Sequence, residues 1–159
     1  MSWVTIEKVM VTAVLVAWWL LMPLDGGHLT YWLCHANVWH LACNVFVLWM
    51  LRGPRLYMAL AVALAVACSY LPAWNAWGGT GVTVGFSGVL FAIIGVEWGV
   101  ACRRGGVRRR NRAIYRTFVL KAVPLAAVGM VIPHVNGCLH LWCLLTGFAV
   151  ARYAIVNSE

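Results

Sequence analysis

Acidic side chains are almost missing from this chain. Asp and Glu number 4 in 159 residues: Glu7, Asp25, Glu97 and Glu159. Charge of either sign is scarce, at 10% of residues, where a soluble domain carries about 25%. Metal-type cysteine pairs are missing too. The six cysteines lie in or beside apolar runs with no CxxC spacing, so they read as small buried hydrophobes with no assigned pairing. There is no HExxH motif, and His35 and His40 fall on different helix faces. A metal site is therefore not expected, and no cofactor is. No polar stretch remains for a soluble module, so residues 1–159 read as one membrane domain. A small-x-small cleavage site after Leu24 is absent as well, so the first apolar run reads as a span despite its basic start at Lys8.

What fills the chain instead is hydrocarbon. Hydrophobic residues make up 64% and mean hydropathy is +0.85. Apolar runs of near-spanning length occupy most of the sequence, which marks a polytopic membrane protein. Six spans are expected, over Val9–Leu24, Trp39–Leu51, Leu56–Leu71, Phe86–Cys102, Ala113–Ile132 and Leu139–Val156. The second is expected to start early, near Cys34, with polar first turns. The fold class is an all-α, six-transmembrane-helix bundle.

The net charge of +8 invites a nucleic-acid reading, chiefly through Arg103–Arg112. The membrane explains it better, because cytoplasmic loops accumulate Lys and Arg. With the N-terminus inside, all 12 basic residues fall on the cytoplasmic side. Both termini are then cytoplasmic, and no nucleic-acid partner is expected. Trp32, Trp74 and Trp77 sit near the outer boundary, as interfacial aromatics do. Arg116 and Lys121 are expected to snorkel inward. Glu97 falls about 15 Å below Ser87 by helical rise and is expected to pair with the arginines. All five histidines, His28, His35, His40, His134 and His140, lie on the outer side. Ionisable residues in membrane segments are functional candidates by default.

Gly85-Phe86-Ser87-Gly88 heads the fourth run. A helix start offers free N–H groups and the positive end of the dipole, so a serine there sits beside donors for a developing oxyanion. A small-residue helix contact is the plainer alternative. Other residues favour chemistry. His40 and Asn44 are four apart and share a helix face. His140 begins the sixth run, and its face continues through Cys143, Gly147 and Ala151. Beside Ser87 runs a second stripe: Gly88, Ala92, Gly95 and Gly99. Two such stripes let helix backbones approach closely. Packing the fourth helix on the sixth would bring Ser87 and His140 to one depth, a nucleophile–base pair.

These motifs resemble those of the rhomboid intramembrane serine proteases. His40-Leu41-Ala42-Cys43-Asn44 is similar to their HxxxN motif, and Gly85-Phe86-Ser87-Gly88 to GxSG. Val135–His140 followed by Gly147 is similar to the last-helix motif carrying the base. The resemblance covers essentially the whole chain, in the minimal six-span bacterial form. It implies an integral protein of the bacterial inner membrane whose site opens to the outer side. It also implies that Ser87 is the nucleophile and His140 the base. His40, Asn44 and the Ser87 N–H would form the oxyanion hole, Gly85 and Gly88 would give the substrate room, and His35 and Phe91 would support. Substrates would be transmembrane proteins within the lipid bilayer. No oligomeric state is implied. Three departures stand out. The outer loop Asp25–Thr30 is short and lacks a tryptophan–arginine pair, Phe91 replaces a common tyrosine, and Cys143 replaces a glycine. The alternatives are rhombosortase-type processing of C-terminal anchors, a non-catalytic protein of the same fold that binds membrane helices, and a small transporter.

Overall fold

Polar residues just outside the apolar runs decide where the helices begin. The computed structural model describes residues 2–22, 27–51, 56–71, 83–104, 112, 115–122, 124–125 and 135–154. Helix α1 runs over Trp3–Leu21, α2 over Val38–Met50, α3 over Met58–Cys68, α4 over Ser87–Arg104 and α5 over Gly137–Ala149. A π-helical segment, Tyr115–Ala122, lies between α4 and α5, and a π-helical turn, Val150–Ala154, extends α5. Among the described residues there is no strand.

The caps move several expected boundaries. Ser2 accepts the Thr5 N–H at 3.2 Å, so α1 starts at Trp3, well before Val9. It ends at Leu21 because Met22 is extended, the conformation that a following proline, Pro23, favours. Asn37 accepts the His40 N–H at 2.9 Å and fixes the start of α2 at Val38, not near Cys34. Asn136 caps α5 through the Leu139 N–H at 3.0 Å and donates to Thr83 at 3.1 Å. Each satisfies a backbone donor that a helix start leaves open. Half of Ala113–Ile132, the expected fifth span, lies outside the described residues.

α4 is the pillar of the structure. Phe86, Val89–Ile94 and Val96 are all buried, and α4 packs on α3, α5, α2 and the π-helical segment. α1 leans on α2, where the buried Lys8 ammonium donates to the Trp49 and Leu51 carbonyls. Those carbonyls close the last turn of α2, whose own ladder gives them no donor.

The helix surfaces expose large apolar side chains, and a few polar groups lie within an otherwise apolar interior. α2 turns Val38, Trp39, Phe46, Trp49 and Met50 outward and buries Leu41, Asn44 and Leu48. α1 exposes Trp3, Met10, Val14, Leu20 and Leu21. Lys8, His35, Asn44 and His140 are buried. Apolar exposure on this scale fits hydrocarbon as solvent. Among the described residues, α1 has the length and composition to cross a membrane by itself, while α2 and α3 are apolar but shorter.

Candidate active site

The seam between α4 and α5 is built from glycine. A Cβ on Gly95 would collide with the Leu144 carbonyl oxygen and lie 2.9 Å from Phe148 N. One on Gly99 would lie 2.6 Å from the Phe148 carbonyl oxygen, and one on Gly147 2.5 Å from that of Ala92. Only residues without side chains allow this backbone contact. The seam is the one expected from the two small-residue stripes.

Where α4 and α5 both begin, the seam brings Ser87 and His140 together. Ser87 Oγ lies 2.8 Å from His140 Nε2. Ser87 is half-buried and begins α4, while His140 is 5% exposed. Phe91, one turn below Ser87, stacks on the imidazole with centroids 4.4 Å apart and planes at 12°. His140 Nδ1 is buried with no hydrogen-bond partner among the described residues. The ring is thus oriented by the serine on one side and by an aromatic face on the other.

α2 supplies the facing wall. Gly85 adopts φ +121°, a conformation that side chains resist. A Cβ there would stand 2.6 Å from His40 Cε1 and 3.6 Å from Asn44 Nδ2. The serine turn, His40 and Asn44 therefore meet at one point. Asn44 is 5% exposed, and its Nδ2 has no hydrogen-bond partner among the described residues. A buried donor left open costs about 1–3 kcal/mol, and such a group calls for an explanation. His35 lies behind this wall: its Nδ1 donates to the Leu33 carbonyl at 3.1 Å and its Nε2 accepts the Phe86 N–H at 3.5 Å. Its ring meets that of His40 edge-on, 5.2 Å between centroids.

Ser87, His140, His40, Asn44, Gly85, Gly88, His35 and Phe91 thus converge. Cys143 is buried and faces Gly88, where an added Cβ would be 3.6 Å from its sulfur. His28 is turned elsewhere, bonded to Ser69 at 3.0 Å and stacked on Tyr70 at 4.2 Å. Glu97 pairs with Lys121, a lysine of the π-helical segment, at 3.0 Å. Asp25, His134, Trp74, Trp77 and most of the arginine run lie outside the described residues. Tyr31 is the residue that sequence reasoning misses. An aromatic near the outer boundary reads as an interfacial anchor, and its place four residues before His35 is its sole signal.

A family model for the Rhomboid domain matches residues 26–157. Comparison with curated proteins and with solved structures returns no match. The matched segment contains every residue that converges on Ser87, and the chain belongs to the rhomboid family of intramembrane proteins.

Proposed function

We propose that the protein is an intramembrane serine endopeptidase working through a Ser87–His140 dyad. The observation that carries this is the 2.8 Å contact between Ser87 Oγ and His140 Nε2, set opposite the open donor of Asn44. In the first half-reaction Ser87 Oγ attacks the scissile carbonyl carbon while its proton passes to His140 Nε2. The oxyanion lies toward Asn44 Nδ2, the His40 ring and the Ser87 N–H, donors already in place before charge develops. The C–N bond breaks as His140 returns the proton to the leaving amine. In the second half-reaction His140 takes a proton from water, the hydroxide adds to the acyl carbon, and Ser87 leaves reprotonated. No metal or cofactor takes part.

The same reading covers what surrounds the site. The bundle has six spans in one domain over 1–159, both termini are cytoplasmic, and the site opens to the outer side of a bacterial inner membrane. Its substrates are transmembrane proteins cut near the outer face, where water for the second half-reaction is available. The outward apolar faces of α1 and α2 support contact with lipid.

Labelling purified protein with a fluorophosphonate tests the proposal. Wild type is expected to form an adduct, and Ser87→Ala and His140→Ala to form none. Equal labelling of wild type and Ser87→Ala would defeat the nucleophile assignment. No labelling of any folded form would favour the non-catalytic helix-binding alternative.

A further inference from the structure

The turn that presents Ser87 is held by a residue the reaction does not use. Tyr31 is 2% exposed. Its main-chain carbonyl accepts the Gly85 N–H at 2.9 Å. Its hydroxyl donates to the Ala65 carbonyl of α3 at 3.0 Å. The same hydroxyl stands against the first turn of α4, since a Cβ on Gly88 would come within 2.8 Å of Tyr31 Oη. One residue therefore meets the chain on both sides of Ser87 and ties it to another helix. Buried hydroxyls keep their partners, so the bond to Ala65 holds the ring in one place.

We propose that Tyr31 is a positioning residue for Ser87. Its carbonyl fixes Gly85, and its hydroxyl, locked on α3, sets how closely the first turn of α4 approaches α5. That approach determines the distance from Ser87 Oγ to His140 Nε2. Tyr31 itself touches neither substrate nor reacting atoms. The inference rests on the serine-hydrolase reading above.

Tyr31→Phe keeps the ring and the carbonyl and deletes only the oxygen. Ala65 O retains the Ser69 N–H at 3.1 Å, so the fold survives. A small misplacement of a reacting group costs up to about 10²-fold in rate. Tyr31→Phe is expected to lower kcat and the fluorophosphonate labelling rate by about tenfold, with KM and the unfolding midpoint little changed. A role in stability alone would move the midpoint and leave kcat in place. Gly88→Ala sets a methyl against Tyr31 Oη and is expected to lose more activity. In the double variant Tyr31→Phe/Gly88→Ala that oxygen is gone. The next-nearest atoms to the methyl, Leu139 Cδ2 at 3.5 Å and Cys143 Sγ at 3.6 Å, are ordinary contacts. The double variant is expected to label faster than Gly88→Ala alone.

Labelling of Tyr31→Phe at the wild-type rate would overturn the inference. So would a double variant no better than Gly88→Ala. Wild type that fails to label would remove the hydrolase reading and this inference with it, whereas labelled wild type with unaffected Tyr31→Phe would remove the inference alone.

Discussion

Gly95→Ala should disable the proposed dyad from a distance. Gly95 lies about 12 Å along α4 from Ser87 by helical rise and touches neither reacting side chain. Its added methyl would meet the Leu144 carbonyl and Phe148 N, both backbone, which no rotamer change can move. Relief to ordinary contact needs the helices to part by about 1 Å at this level, since tightly packed interiors do not absorb such a change. If they part in parallel, Ser87 Oγ and His140 Nε2 open by the same amount from 2.8 Å and pass beyond hydrogen-bond range. If they pivot at Gly99, about 6 Å below Gly95, the lever triples the opening to about 3 Å at Ser87. Either way the loss should reach about 10²-fold in labelling rate and turnover. Overpacking should cost about 1–3 kcal/mol in stability. Fluorophosphonate labelling, substrate turnover and thermal unfolding on the same reconstituted sample measure all three. Wild-type labelling of a folded Gly95→Ala protein would refute the reasoning, because it would mean that the seam does not set the dyad distance.

Asn44→Ala should lower kcat by up to about 10²–10³-fold, the usual cost of one oxyanion donor; unchanged turnover would make Asn44 helix glue alone. Phe91→Ala should lose much activity while staying folded, because it removes the face that orients His140. Asp25→Asn should keep most activity, and turnover as low as that of Ser87→Ala would replace the dyad with a triad. Topology can be read by thiol labelling in a cysteine-free background. Gly79→Cys should react from outside and Gly106→Cys from inside, and the reverse pattern would turn the proposed site to the wrong face.

Legibility in the sequence followed the range of the forces involved. The α4–α5 seam could be read because it depends on residue size at helical spacing: Gly95 and Gly147 do what their lack of a side chain allows. The meeting of Ser87 and His140 followed from that seam. Helix starts were misplaced where a polar residue outside the apolar run took over. Ser2 extends α1 and Asn37 delays α2, through hydrogen bonds that a hydropathy pattern does not register. The pairing of Glu97 with Lys121 could not be read in advance, because Lys121 reaches it across helices at a separation that local spacing does not encode. Tyr31 stayed hidden for the same reason. Its contacts with Gly85, Gly88 and Ala65 exist only once the segment before α2 has packed against α3 and α4.

In the proposed enzyme α2 is the partition between lipid and the site. Trp39 and Phe46 face outward, and Asn44, on the other side of the same helix, faces Gly85. The partition between them is a single helix, about 10 Å across. In the proposed enzyme, hydrocarbon therefore lies against the outer side of the wall that carries the oxyanion donors. Acyl-chain length and lateral pressure then press on that wall directly. They become variables of the reaction, much as buffer and ionic strength are for a hydrolase in water.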